Sequence, residues 1–317
     1  MPVIQPKEMI QMSKKVIVPP LKSQGIKTKL VPWINDLVKI AEPTGRWIEP
    51  FLGTGVVGFN AGFRSAILGD TNPHIINFYR AIQSGEITGE IAKRYLEEQN
   101  EKLMNAADNG YAYFREVRDR FNLDFAPLDL LFLSRAGFNG MMRFSKKGKW
   151  NIPFCKKPNR FAASYVTKIV NQINKVSHQM TPEWQFINSG FETVITQAQV
   201  GDIIYCDPPY YGRYVDYYNG WSEEDEERLF NLLTNTPAKF ILSTWHHNDW
   251  RQNDMITKFW DKFNIVTRDH FYHSGGSIEN RKTVVEALVC NFEIEGIEGH
   301  NHGKKDRPKQ MQIEVEW

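Results

Sequence analysis

The residues best equipped for chemistry are Asp207, Pro208, Pro209 and Tyr210, which end the apolar run of "GDIIYCDPPYYGRY". Proline has no N–H, so two in succession make a stiff turn that offers carbonyl acceptors and no competing donors. The Asp207 carboxylate is a further acceptor, and Tyr210 adds a flat aromatic face. Together they suit a planar substrate with an exocyclic amine: the carboxylate and the Pro208 carbonyl take its two N–H groups while the tyrosine stacks on the ring. With both hydrogens held, the nitrogen lone pair turns out of the ring plane and becomes a better nucleophile. An ordinary proline turn is the other reading of the same four residues.

Two earlier segments carry candidate ligand groups at strand ends. In "GRWIEPFLGTGVVGFNAG" a strand leads through Glu49, Pro50 and Phe51 to Gly53 and Gly55, where the backbone can turn tightly and approach a ligand before a helix starts. In "SAILGDTNPHIINFYRAI" Asp70 closes a strand, placed either to accept hydrogen bonds from a ribose diol or to cap the next helix.

Successive strand-to-helix units specify a parallel, doubly wound sheet, with ligands bound beyond the carboxyl ends of the strands. Further strands are expected at "EWQFINSG", "DIIYCD", "AKFILSTW", "FNIVTRDHFYH" and "TVVEALVCNFEI". Between them, residues 85–165 turn helical and polar, then basic and aromatic. The expected organisation is a discontinuous catalytic domain of residues 1–84 and 166–292, a recognition module at 85–165, and a charged tail at 293–317 with a last strand at "MQIEVEW". The first twenty residues read as a loosely packed arm.

A formal net charge of +2 over 317 residues neither demands nor excludes nucleic acid, since only local clustering steers a ligand. Cys155, Cys206 and Cys290 match no zinc or disulfide spacing, which suits incidental thiols in a reducing compartment, and no metal site is expected. His300 and His302 lack a third ligand. No apolar run reaches the roughly 18 residues that span a bilayer and no secretory leader is visible, so a cytoplasmic protein with no membrane partner is expected.

Taken together, "EPFLGTG", "GDTNPHIINFY" and "DPPYYGRY" resemble the motifs of the Dam-type DNA adenine N6-methyltransferases, from about residue 20 to residue 293. The resemblance implies a Rossmann-like methyltransferase sheet with helices on both faces, plus an inserted, mainly helical DNA-recognition domain with a β-hairpin. It implies S-adenosylmethionine as cofactor, held by Glu49, Pro50, Phe51, Gly53, Gly55, Asp70 and Asp207, with Phe191 of "INSGFETVI" stacked on the donor's adenine. Several relatives place an acid before that phenylalanine, where this chain has Gly190. Lys22 and Lys27 fall where the family carries "K-W-A-G-G-K" near the methyl donor and the target, which implies that both help bind the donor, with Ser23 and Gln24 replacing the tryptophan and the small residue.

"FNGMMRFSKKGKWNIPF" looks like the family's DNA-reading hairpin, and polar and apolar residues do alternate around "SKKGK", with basic side chains among aromatics. By resemblance, Phe138 wedges into the duplex, Asn139 supports the orphaned partner base, and Arg143 reads guanine through N7 and O6. Lys146, Lys147, Lys149, Lys156 and Lys157 would meet phosphates. With Pro153 of the "NIPF" turn, these residues imply GATC or a related GAT-containing target in double-stranded DNA. The adenine would be flipped out and methylated in line, Asp207 orienting the amine more than abstracting its proton.

Two other classes stay open: a DNA-binding protein with an inactive methyltransferase fold, and an RNA or protein-amide N-methyltransferase. A nicotinamide dehydrogenase would share the glycine turn but leave DPPY unexplained. The resemblance is compatible with a monomer and with a cognate restriction endonuclease. "STWHHNDW" is expected to shape the pocket, the aromatic start of "YVDYYNGWSEEDEERLF" to close over the target, and Ser222 to cap a helix.

Overall fold

The computed structural model describes residues 15–23, 25–212, 220–271, 283–294 and 300–301. Strand β1 (Trp47–Glu49) lies between β2 (Ala66–Asp70) and β4 (Ile203–Cys206). Outside these run β3 (Trp184–Asn188), next to β2, and β5 (Lys239–His247), next to β4, all five strands being parallel. Antiparallel pairing then adds β7 (Thr283–Cys290), β6 (Asn264–Phe271) and the two-residue β8 (His300–Asn301). The resulting order is β3-β2-β1-β4-β5-β7-β6-β8.

The central strands are apolar on both faces, as parallel strands covered by helices must be. Alternate side chains divide between two layers: Trp47, Leu68, Tyr205 and Ile241 enter one core, Ile48, Ile67, Ile204 and Leu242 the other. The first is covered by α1 (Val31–Ala41) and α2 (Pro73–Gln83), the second by α7 (Phe191–Ile195) and α8 (Glu223–Asn235). Ser222 caps α8 in a reciprocal capping box with Asp225.

Between β2 and β3 the chain inserts α3 (Gly89–Asn105), α4 (Tyr111–Asp124), α5 (Pro127–Ala136) and α6 (Ala163–Gln179). Leu96, Phe114, Leu131 and Ile173 of these helices join the same apolar cluster as Trp47 and Phe78, so the insertion shares the core on that face of the sheet. After α5 comes an abbreviated hairpin with two antiparallel bridges, Gly137 to Phe154 and Phe144 to Trp150.

At the opposite end of the sheet from the DPPY turn, Asp202 binds the starts of β1 and β4 together. Its carboxylate accepts from the Arg46 backbone N–H (2.7 Å) and from the Arg46 guanidinium (2.7 Å to Oδ2). Burial alone would raise the Asp202 pKa, but these bonds hold it below the usual carboxylate value.

The structure corrects two local expectations. The segment after the glycine turn makes one 3-10 turn, Gly58–Asn60, in place of an α-helix. Gly58 lies so close to Glu49 that a Cβ there would sit 2.5 Å from Oε2, and Gly62, at φ +77°, follows. Nor is the described part of the arm loose. Ile17 and Leu21 are buried, and the Ile17 backbone donates to Asn60 Oδ1 (2.8 Å) while Asn60 Nδ2 donates back to the Ile17 carbonyl (2.9 Å). The prolines around these residues favour an extended chain, whose alternate apolar side chains find the core without forming an element of their own. The strand expected at "MQIEVEW", His302 and most of the loop after the DPPY turn, residues 213–219, lie outside the described residues.

Candidate active site

The carboxyl ends of β1, β2 and β4 open into a cleft of about 430 Å³. Gly53 borders it at φ +51°, with nothing within 4 Å of where a Cβ would stand, so the backbone lies bare to the cleft. Its N–H donates to Asp70 Oδ2 (2.8 Å), and Asp70 Oδ1 accepts from the Asn72 N–H (2.8 Å). The cap of α2 is Asn72, whose side chain accepts from the His74 N–H. Asp70 therefore ties the glycine turn to the start of α2 and faces the cleft, and burial raises its pKa against those two bonds. Gly55 stands behind the turn at φ +73°, where a Cβ would come 2.5 Å from the Phe59 ring.

An aromatic wall closes one side. Phe51 stacks on Phe191 (centroids 5.4 Å apart), and Trp221 packs 5.6 Å from each. The Arg228 guanidinium lies 5.7 Å from the Phe191 centroid and pairs with Glu192, which also lines the cleft. An acid thus follows Phe191 in place of one preceding it. Trp221 escapes sequence reasoning; its only signal is a tryptophan directly before a capping serine.

Glu49 is buried at the end of β1 and accepts from Trp47 Nε1 (2.9 Å). Burial, with the Asp207 and Asp70 charges nearby, pushes its pKa up to about 8. Pro50 completes the floor of the same cleft.

Asp207 and Pro209 line the cleft at the end of β4, while Pro208 is buried. Lys27, 5% exposed, places Nζ 2.9 Å from Asp207 Oδ1 and 4.8 Å from the Tyr210 ring centroid. Burial raises the Asp207 pKa, and the Lys27 charge opposes that rise. The Tyr210 hydroxyl donates to Glu286 Oε2 (2.6 Å) and lies 3.3 Å from Ser243 Oγ, its ring packed with Trp245 and Val284. Glu286 is a fully buried acid in the apolar strand β7, and that anomaly is the one trace it leaves in the sequence. Trp245 belongs to "STWHHNDW", where a bulge sets in and His246 Nδ1 meets His247 Nδ1 at 2.8 Å.

Lys22 lies away from the cleft, against Gly140, where burial and the charges of Arg135 and Arg160 lower its pKa to about 8. On the hairpin, Arg143 lines the cleft together with Met142 and Phe144, and its Nε donates to Asn151 Oδ1 (2.9 Å). Phe138 is 48% exposed and its N–H donates to the Pro153 carbonyl (2.9 Å). Asn139, at φ 52°, stands exposed beside it. Lys146, Lys147, Lys149, Pro153, Lys156 and Lys157 are exposed as well. One cleft therefore gathers the glycine turn, Asp70, Phe191 and Asp207 with Arg143, while Phe138 and the lysines are exposed outside its lining.

Five parallel strands, an antiparallel β7 inserted between β5 and β6, helices on both faces and a cleft at the strand ends define a Rossmann-like methyltransferase fold. Residues 23–274 match the model of the D12 class N6 adenine-specific DNA methyltransferases, and the chain belongs to that family. It is 30% identical over 286 residues to a DNA adenine methylase of Vibrio cholerae, covering 86% of this chain and 95% of that protein. The retron Ec67 DNA adenine methylase of Escherichia coli is 29% identical over 220 residues, 67% of this chain and 71% of that one. The Type II methyltransferase M.FokI of Planomicrobium okeanokoites is 27% identical over 86% of this chain, which spans 42% of that longer protein. Among the described residues no helix is long and apolar enough to cross a membrane.

Proposed function

We propose that the chain transfers a methyl group from S-adenosylmethionine to N6 of an adenine flipped out of duplex DNA. The observation that carries this reading is the single cleft in which the Gly53–Asp70 pair, Phe191 and Asp207 meet Arg143 of the hairpin. The residues fit the donor: bare backbone at Gly53 beside a carboxylate that can take a ribose diol, and an aromatic wall for an adenine. A bound donor supplies an electrophilic methyl on its sulfonium.

The protein's part is positioning. Asp207 and the Pro208 carbonyl accept the two amine hydrogens, and Tyr210, anchored through its hydroxyl by Glu286, presents its face to the base. Lys27 stands over that face and pairs with Asp207, so a base stacking there must displace it. The amine attacks first and loses its proton afterwards, so a strong base is not required. Unstacking the adenine costs a few kcal/mol. Exposed Phe138 and Asn139 suit the space it vacates, residues 85–165 serve as the recognition module, and the exposed lysines meet phosphates.

Asp207→Ala is expected to abolish tritium transfer from labelled donor while DNA binding stays measurable; full activity would overturn the assignment. The proposed target is GATC or a related GAT-containing site, supported by Arg143 at the cleft, with Asn139 and Pro153 exposed in the same segment of the chain. DNA treated in vitro should resist an endonuclease blocked by GATC methylation, and undiminished cutting refutes that target. The chain is proposed to work as a cytoplasmic monomer, and the Type II methyltransferase among its relatives fits a cognate restriction endonuclease.

A further inference from the structure

We propose that His74 is a positioning residue that ties the donor cleft to the hairpin, so that filling the cleft holds Arg143 in place. The proposal rests on reading the cleft as an S-adenosylmethionine site.

His74 lies in the first turn of α2, 4% exposed, with its ring 4.8 to 5.1 Å from those of Phe121, Phe125 and Phe144. Leucine or phenylalanine would fill such a box, whereas burying an imidazole there costs free energy for each polar atom left unbonded. Nε2 lies 2.9 Å from the Gly148 carbonyl. That oxygen can only accept, so Nε2 carries the hydrogen and donates it. Nδ1, buried and without a partner among the described residues, is the bare nitrogen of a neutral ring.

Gly148 is the tip of the hairpin, at φ +72° in a turn closed by its own N–H on the Ser145 carbonyl (2.8 Å). The same hairpin pairs the Asn151 N–H with the Arg143 carbonyl (3.2 Å), and Arg143 lines the cleft. On its other side, the His74 N–H donates to Asn72 Oδ1 (3.0 Å), the Asn72 N–H to Asp70 Oδ1 (2.8 Å), and the Gly53 N–H to Asp70 Oδ2 (2.8 Å). Four hydrogen bonds thus lead from the glycine turn, through the acid placed to meet the donor, to the tip of the hairpin. A ligand that fixes the Asp70 carboxylate restrains Asn72, the first turn of α2 and, through His74, the loop that carries Arg143. A ring that served packing alone would confer no such dependence on the donor.

The test is backbone hydrogen exchange over residues 143–151 in the full chain, with and without saturating S-adenosylhomocysteine, whose affinity is measured by calorimetry. In the native chain the compound should bind and slow exchange of these amides about fivefold or more, the usual size of coupling between sites. His74→Leu and His74→Phe keep the packing and lose the donor, so they should bind S-adenosylhomocysteine with little change yet lose most of the slowing. His74→Gln, whose amide reaches toward the same carbonyl, should restore it. If the native chain does not bind the compound, the donor reading falls and takes this proposal with it. If binding occurs without slowing, or with equal slowing in the His74→Phe variant, the coupling alone is overturned.

Discussion

At Glu49 the folded chain holds a proton that the unfolded chain releases, because its pKa stands near 8 against an ordinary 4.5. A carboxyl raised in this way binds more protons folded than unfolded between those values, so stability falls as pH rises from about 5 to 8. Glu49→Gln keeps an acceptor for Trp47 Nε1 and cannot ionise. Its melting temperature should match the native chain near pH 5 and exceed it by an increasing margin towards pH 8, read by thermal melts across that range; a constant difference would refute the titration. Such a shift is invisible in "WIEPF", since it arises from enclosure and from acids distant in sequence. The DPPY turn, Gly53 and Asp70 were legible because their chemistry is local: missing donors, a positive φ, a carboxylate at a strand end. Glu286 and His74 were not, since Tyr210 meets Glu286 across 76 positions and His74 reaches Gly148 across 74.

The glycine turn allows a controlled comparison within one element. Gly53 and Gly55 both hold positive φ, so alanine at either carries about 1–2 kcal/mol of left-handed strain. At Gly55 the new methyl also meets the fully buried Phe59 ring, adding an overpacking cost of about 1–3 kcal/mol. At Gly53 it meets only the cleft. Gly55→Ala should therefore lower the melting temperature clearly more, whereas Gly53→Ala should weaken S-adenosylhomocysteine binding more, as melts and calorimetry on both variants would show. Among the elements, the central strands β1, β2, β4 and β5 could be read from their apolar runs, because most of their side chains are buried on both faces, whereas the two-residue β8 has no apolar run to read. The helix expected after this turn failed since Gly58 is needed as a gap for Glu49, a demand set by packing in three dimensions.

Over the whole molecule, charges almost cancel, yet Lys146, Lys147 and Lys149 are exposed together at the hairpin turn. Replacing all three by alanine should flatten the dependence of log affinity on log salt by up to about 2.7, at about 0.9 for each phosphate no longer neutralised. Binding curves at several salt concentrations measure the slope, and an unchanged slope would place the DNA elsewhere. The sheet order also sets a timetable for a chain made from its N-terminus. Arg46, at the foot of β1, waits for Asp202, 156 residues later, before the centre of the sheet can close. At about 5–20 residues per second that is roughly 8 to 30 s of synthesis. During it, the helices of the insertion emerge ahead of the strand that carries Asp207, and their share of the common core has no completed sheet to cover it. Nascent chains stalled before β4 should therefore be the species most in need of chaperones, and the catalytic turn becomes one of the last parts of the cleft to be delivered.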